Sequence, residues 1–415
     1  MKLLACLPLL FACGSEVPCD PDAPNTICTI AGNGEQGYNG VGGPAINAAL
    51  YAPMDTAVSP EGDVWILDFN NYVIRLIDAE GNLQTVIGNG QVGDSPAPGV
   101  PSMPAIDALF NHTTDLFFHD GYVYLSAWHS SRIKRVKLAT MQIENYAGRG
   151  VRLYYDGDDG PALDAALDLP SSIERDPRTN HIVIMDQANQ VVRMIDGNGM
   201  ISKIVGKCVV EFDQPCAPGV QPQACPGSNK LACGDLATEC AKPCTPGFAG
   251  DGGPATEARL NQPFLQWADP AGRLAYDSAG NLYIADTDNN RIRRVDAVTN
   301  IITTVVGNGD QGFSGDGLPA TQAMINRPVD IDFAADNTMY FTDVYNACVR
   351  KVDPAGIIST VAGRCSDNPN DRGFSGDGGP PLEARLDRPY GIELAGNKLY
   401  ISDSYNNRIR VVNLP

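Results

Sequence analysis

The chain has 415 residues, with 43 glycines and 31 prolines. That is too many turn formers for a helical protein, and too long a chain for one unbroken core outside a barrel, a propeller or a repeat array. Hydrophobic residues make up 43%, enough to exclude global disorder, and 30 basic against 49 acidic residues give a net charge of −19 that repels phosphate backbones and excludes a nucleic-acid partner.

Residues 1–12 read as a signal peptide: Met1-Lys2 precede a mostly apolar run, Leu3 to Ala12, too short to span a bilayer. Leu10-Phe11-Ala12-Cys13 resembles the lipobox of bacterial lipoproteins, which implies cleavage before Cys13 and acylation of its new N-terminus; Phe11 departs from the small or branched residue usual there, and plain secretion is the alternative. Residues 13–25, rich in Pro, Asp and Ser, then form a tether. The expected location is the bacterial cell envelope, lipid-anchored and facing the periplasm or the outside, with membrane contact only through the lipid. The 12 cysteines fit such an oxidising compartment.

One segment recurs six times, as Val64 to Asp68, Val123 to Ala127, Ile182 to Asp186, Leu282 to Asp286, Met339 to Asp343 and Leu399 to Asp403, at steps of 59, 59, 100, 57 and 60 residues. In the fourth copy the pattern predicts strands at Arg273 to Asp277, Leu282 to Asp286, Arg291 to Asp296 and Ile301 to Val306, joined by four-residue turns. Four antiparallel strands without helical periodicity make one propeller blade. The sixth copy lacks its outer strand, and Ile27 to Gly34 matches the outer strand of other copies, such as Ile358 to Gly363. An N-terminal strand is therefore expected to complete the last blade and remove the open sheet edges. The fold class is all-β: a six-bladed propeller of four-stranded antiparallel blades over 26–415.

The pattern Gly280-Asn-Leu-Tyr-Ile-Ala-Asp-Thr-Asp-Asn-Asn-Arg-Ile-Arg293 and the linking Gly312-Phe-Ser-Gly-Asp-Gly317 resemble the NHL repeats that build propellers in teneurins and in bacterial surface proteins. The resemblance runs from about Thr26 to Pro415; it implies the fold and leaves function open, since related propellers serve as binding proteins and as lyases. Asp286 and Arg293 fall diagonally across a turn, and Asp68/Arg75, Asp186/Arg193, Asp343/Arg350 and Asp403/Arg410 are equivalent, with Ala127 and Lys134 in the second copy. A structural role is expected, because a blade corner is needed six times and an active site once. Asn289, Asn346 and Asn406 suit the turn as residues that tolerate the left-handed region. Asp156, Asp158, Asp159, Asp251, Asp316 and Asp377, in the linking loops, offer oxygens of the type calcium takes, with loop-internal hydrogen bonding as the expected use. No other cofactor is expected.

Between the third and fourth copies a cysteine-rich insert, residues 207–246, carries Cys208, Cys216, Cys225, Cys233, Cys240 and Cys244. Disulfides are expected there rather than zinc, because no histidine accompanies the thiols and no C-x2-C pair occurs, but the spacing does not choose among the pairings. Cys348 can reach Cys365, and Cys19 can reach Cys28.

Strand alternation puts the linking loops and the turns after each second strand on one rim, which is the face expected to carry recognition. Trp267, Phe248, Phe313, Phe374, Tyr345 and Tyr405 are its candidate aromatics. Asp55, Asp115, Glu174, Asp330 and Glu393 are expected on inner strands facing the central channel. The histidines, His112, His119, His129 and His181, all lie in the second and third copies; His112 is placed to approach the axis, but they form no zinc constellation. The expected function is binding or scaffolding of a protein or glycan by a monomer. The alternative is a lactonase-like hydrolase or lyase with a metal in the channel.

Overall fold

The computed structural model describes residues 19–152, 155–209, 223–224, 231–232, 244–264, 268–366 and 368–414. Residues 1–12, Cys13, Trp267, Cys216, Cys225, Cys233 and Cys240 lie outside the described residues. Six antiparallel sheets stand around an axis as blades. Blade 1 comprises Pro53–Val58, Val64–Asp68, Val73–Ile77 and Leu83–Ile87 from the axis outward. The innermost strands of the others are Thr113–His119, Pro170–Arg175, Leu274–Tyr276, Pro328–Phe333 and Pro389–Ala395. Blade 4 continues through Leu282–Asp286, Arg291–Val295 and Ile302–Val306.

Blade 6 takes its outer strand from the N-terminus: Ile27–Ala31 runs antiparallel to Arg408–Asn413, with Ile27 opposite Val412 and Ala31 opposite Ile409. Two blades gain a fifth, two-residue strand, Met103–Pro104 in blade 2 and Gly160–Pro161 in blade 3. Single bridges at Pro44, Pro254 and Pro319 make the same contact in blades 1, 4 and 5. In these five blades the linking loop thus covers the outer edge of the blade it leads into, which keeps that edge from pairing with another chain.

The middle strands are apolar on both faces because each blade is packed between two others; Ile182–Asp186 is buried throughout. The core is correspondingly divided into wedges between blades. Between blades 3 and 4, for example, Val183, Met185 and Val205 meet Leu274, Ile284 and Ile302. At the end of the outer strand of blade 4 a glycine approaches the neighbouring turn. Gly307 has φ +85°, and a Cβ there would lie 2.3 Å from the Asn290 carbonyl oxygen, so only glycine closes this corner.

Among the described residues three disulfides join Cys19 to Cys28, Cys208 to Cys244 and Cys348 to Cys365. The Cα atoms of Cys208 and Cys244 are 4.9 Å apart. The insert therefore leaves and re-enters the ring at one point and does not interrupt the blade sequence. Among the described residues no helix is long and apolar enough to cross a membrane.

Candidate functional site

The repeated polar residues build the blade corners. Asp286 is fully buried and accepts from the Asn261 N–H at 2.8 Å, Asn289 Nδ2 at 2.9 Å and Arg293 Nη1 at 3.1 Å. Asp186 and Arg193 (3.5 Å), Asp343 and Arg350 (3.4 Å), and Asp403 and Arg410 (3.4 Å) repeat the contact. The asparagine works differently from expectation. Asn289 bonds Asp286 from within a 3-10 turn, and the left-handed residue is the next one, Asn290, with φ 50°.

The other end of each of these arginines takes a linking-loop aspartate: Arg293 to Asp251, Arg350 to Asp316 and Arg410 to Asp377, all at 2.6 Å, and Arg193 to Asp158 at 2.8 Å. Asp156 pairs with Arg149 at 2.8 Å.

Arg75 requires a correction to the expected equivalence of the five pairs. It is fully buried and reaches Asp68 at 3.3 Å, but the loop leading into blade 1 carries Val41 where the others carry an aspartate. The second end of Arg75 therefore has no carboxylate, and Nη2 donates to the Asn39 carbonyl at 2.7 Å, with the Tyr38 ring centre 5.1 Å from the guanidinium carbon. Asp68 is held chiefly by neutral donors, Asn71 Nδ2 at 2.8 Å and the Tyr51 N–H at 2.7 Å, and burial still pushes its carboxyl up to about 6. Asp68 and Arg75 thus form a hydrogen-bonded corner with one ion pair, where the other four arginines each bridge two aspartates.

The linking-loop carboxylates are spread among separate loops and, apart from the exposed Asp159, held by guanidinium groups, and among the described residues no three His, Cys, Asp or Glu converge as a metal site would require. Lys134, in the copy without the strand-end aspartate, reaches Asp94 at 2.5 Å instead. Phe248, Phe313 and Phe374 lie in the same loops and stack beneath these arginines, with Arg293, Arg350 and Arg410 at 4.8–4.9 Å from the ring centres. They are parts of the corner, and none lines the mouth of the channel.

The channel has two polar layers. One inner-strand position reads Asp55, Asp115, Ser172, Arg273, Asp330 and Gly391 around the ring. In four blades the innermost strand has an N–H that its own sheet leaves unpaired, and the preceding blade supplies the acceptor. Asp55 accepts from Leu116 N–H (3.1 Å), Asp115 from Ile173 (2.7 Å), Ser172 from Leu274 (3.1 Å) and Asp330 from Ile392 (2.8 Å). Arg273, from blade 4, crosses the axis to Asp55 at 2.6 Å, Asp330 at 3.1 Å and Asp115 at 3.9 Å, and donates to the Met54 and Thr114 carbonyls. Its guanidinium closes the bore.

Two residues further along the same strands are Glu174, Asp332 and Glu393, which form the second layer together with Phe117. The five channel acids expected from sequence therefore separate into two sets, with Asp332 an additional member. Burial pushes Glu174 up to about 8 and Asp332 up to about 7, and neighbouring carboxylates add to both shifts. Such groups bind protons on folding. Their contribution to stability is fully present below about pH 4.5 and is lost as pH rises toward 8. Glu174→Gln keeps an acceptor for the Arg175 N–H. It is expected to match the parent near pH 4.5 and to exceed it by about 1–2 kcal/mol near pH 9, after allowance for solvent in the bore. Urea melts at the two pH values check this, and an equal difference at both would refute it.

Above Arg273, on the linking-loop rim, the channel opens into a pocket of about 460 Å³ lined by Tyr51, Met54, Phe69, Asn70, His112, Trp128, His129, Asp269, Tyr405 and Asn407, among others. Its wall follows a simple rule. The residue that enters an inner strand sits between the second turn residue of its own blade and that of the preceding blade. His112 Nδ1 lies 2.9 Å from His129 Nδ1 and His112 Nε2 lies 3.2 Å from Asn70 Oδ1; Arg327 likewise meets Tyr345 and Asp288. Five of these entry residues, Ala52, His112, Leu169, Arg327 and Arg388, have left-handed backbones that turn the chain sharply into the channel.

Phe69, Tyr72 and Trp128 pack around the two histidines, and burial lowers His112 to about 4, so it is neutral at physiological pH. His119 lines a different groove, between blades 2 and 3, and His181 is not at the mouth. In blade 4 an added segment replaces the short entry. Gln187 holds it by donating to the Pro263 and Asp269 carbonyls and accepting from the Ala271 N–H, which brings Asp269 to the pocket.

The N-terminal segment lies on the opposite rim. Asp22 pairs with Lys398 at 2.6 Å and Asn413 donates to the Asp22 carbonyl, so residues 19–26 lie on the hairpin rim and the pocket faces away from it.

A model of the Teneurin NHL domain matches residues 24–221. Teneurin-1 of Gallus gallus is 26% identical over 420 residues, covering 94% of this chain, which spans about 14% of that relative's length. Two solved structures from Bacteroides thetaiotaomicron share the fold, both at 15% identity over 93% of this chain. One is a protein of unknown function, with TM-score 0.60 and 74% of that chain covered; the other is an auxiliary nutrient binding protein, with TM-score 0.57 and 75% covered. The chain is a six-bladed β-propeller whose sequence is similar to the NHL domains of teneurins.

Proposed function

We propose that this is an exported, lipid-anchored recognition protein that binds a glycan in the mouth pocket on the rim opposite its tether. The observation that carries the reading is the pocket itself: a preformed concavity with aromatic faces at Tyr51, Phe69 and Tyr405, a few directed polar groups at Asn70, His112, Asp269 and Asn407, and a floor closed beneath it by Arg273. Sugars present this combination in reverse, with apolar ring faces and a perimeter of hydroxyls. A volume of about 460 Å³ suits one or two sugar units. The auxiliary nutrient binding protein of similar fold is consistent with this use.

The enzymatic alternative is weaker for a specific reason. A cation in the first channel layer would need Asp55, Asp115 and Asp330, which Arg273 already engages, and among the described residues the acids of the second layer do not converge as a metal site would require.

The test is a neutral and acidic oligosaccharide panel against the mature chain, read by tryptophan fluorescence and calorimetry. Tyr51→Ala is expected to weaken any hit about tenfold through lost ring stacking. A panel without saturable binding, or hits indifferent to Tyr51, would overturn the proposal.

A further inference from the structure

The ring of mouth residues carries one positive charge that lacks the partner its counterpart has. In blade 5 the entry residue Arg327 meets Asp288, the second turn residue of blade 4, with 3.1 Å between Nε and Oδ1, and lies 3.7 Å from Asp269. In blade 6 the entry residue is Arg388, and the position of Asp288 in the preceding turn is taken by Tyr345. An aromatic face stands where the repeat geometry places a carboxylate.

Arg388 is held between two rings, 4.9 Å from the centre of Tyr345 and 4.4 Å from that of Tyr405, and its Nη1 donates to the Tyr405 hydroxyl at 2.7 Å. Among the described residues no carboxylate lies within 4.0 Å of it. Asp269 and Asp387 act on it only from longer range, and Asp269 is already bonded by the Tyr345 hydroxyl at 3.0 Å. A second guanidinium, Arg372, donates to the Tyr345 carbonyl at 2.7 Å, stacks on the same ring at 5.7 Å and also has no carboxylate within that range among the described residues. Two guanidinium groups without a carboxylate within 4.0 Å among the described residues therefore stand beside one ring, in a chain of net charge −19.

We propose that Arg388, supported by Arg372, forms a subsite for an anionic group, so that the ligand of the mouth pocket is an acidic saccharide bearing a carboxylate or a sulfate ester. This inference rests on the glycan reading above and adds the ligand's charge and the place where it is read. Tyr405 joins the two regions, since it lines the pocket and also fixes Arg388. Stacking between Tyr345 and Tyr405 limits the rotamers of the guanidinium before any ligand arrives, so little entropy is lost on binding, and its outer N–H groups match a planar carboxylate bidentately.

Calorimetry with the mature chain would compare digalacturonate, galactobiose and galactose 6-sulfate. Digalacturonate is expected to bind at least about tenfold more tightly than galactobiose, as one charge-assisted hydrogen-bonded contact supplies. That advantage should shrink in high salt. Arg388→Gln should abolish the difference between the two sugars. Tyr345→Asp, which introduces the carboxylate that Asp288 supplies one blade earlier, should abolish it with Arg388 still in place, so the result does not depend on how one variant folds. Stronger binding of galactose 6-sulfate that is lost in both variants would support the subsite and assign it to sulfate esters. Equal affinity for digalacturonate and galactobiose, or a preference that survives Arg388→Gln, would overturn this inference and leave the glycan reading standing. Absence of binding by all three would overturn both.

Discussion

Replacing Arg273 with methionine is expected to destabilise the propeller by about 3–5 kcal/mol near pH 8, a large part of the ~5–15 kcal/mol typical of a folded domain. The side chain is buried and contacts Asp55 and Asp330 directly and Asp115 at 3.9 Å, so its removal leaves three carboxylates facing one another across a narrow bore. Each retains one backbone donor from the next blade, from Leu116, Ile173 or Ile392, and none retains a counter-charge. The loss should diminish as pH falls toward 5 and Asp55 and Asp330, whose carboxyls burial already pushes up, take up protons. Adding Asp55→Asn and Asp330→Asn to Arg273→Met should recover much of the stability, because removing both sides of a buried ion cluster is far less damaging than removing one. Urea melts of the single and combined variants decide the matter. A loss under about 1 kcal/mol for Arg273→Met, or no recovery on neutralising the aspartates, would show that the plug is not electrostatic.

What the amino-acid pattern made legible is what the ring needs six times. Asp286 and Arg293 recur in five of the six blades because each closes the same corner, with Ala127 and Lys134 at these positions in blade 2, and Ile27–Ala31 is recognisable because it repeats Ile358–Ala362 in kind. Recurrence of the pair did not reveal what lies at the far end of each arginine. Arg75 matches Arg293 in its own strand, and each donates Nη2 to the equivalent loop carbonyl, of Asn39 and of Ala249; only Val41, distant in sequence and standing where blade 4 has Asp251, sets its corner apart. The extra strands at Met103–Pro104 and Gly160–Pro161 do have a repeat signal, the linking-loop proline that recurs as Pro44, Pro254 and Pro319 and lies against the same outer edge, but the proline alone does not show that the loop pairs there. Position along a repeat also failed to separate the acids of the channel. Glu174 and Glu393 are two residues beyond Asp55 and Asp330 in register, a shift that keeps the same strand face but changes the layer.

Arg273 was overlooked because an acidic series drew attention to carboxylates. Aligned position by position, an arginine among aspartates is the signal that would have found it. The mouth follows the same logic. Its residues, Asn70, His129, Tyr345 and Tyr405 in the turns and His112, Arg327 and Arg388 at the entries, differ from blade to blade. A search for repetition passes over Asn70, His129, Arg327 and Arg388, although variation on a fixed scaffold is where specificity resides, while Tyr345 and Tyr405 stand out as rim aromatics and His112 as a residue near the axis. Phe248, Phe313 and Phe374 show the converse: they recur, and they serve the corner.

Deletion of residues 1–31 should open the ring and produce the largest loss of any change considered. Ile27 and Ala31 are fully buried, Cys28 nearly so, and they fill the wedges on both sides of blade 6, against Ile392, Leu399 and Val412 on one side and Leu50 and Ile66 on the other. Burying one large aliphatic side chain supplies about 1.5–3 kcal/mol, and the deletion also exposes the unpaired edge of Arg408–Asn413. The truncated chain is therefore expected to melt more than about 10 °C lower, as a loss of several kcal/mol implies, and to associate through the free edge. A synthetic peptide of residues 19–34 should restore the midpoint, because the missing element is a strand that pairs by backbone hydrogen bonds. The opposite manipulation should be tolerated. Asn25 and Thr26 already exchange backbone hydrogen bonds with Asn413, so joining Leu414 to Asn25 and cutting the 278–281 hairpin should yield a permuted chain with the same melting behaviour. If the truncated protein melts with the parent, or if the peptide fails to restore it while the permutant folds, the first strand would be an ornament on blade 6, and the ring would have to be held by the interblade wedges alone.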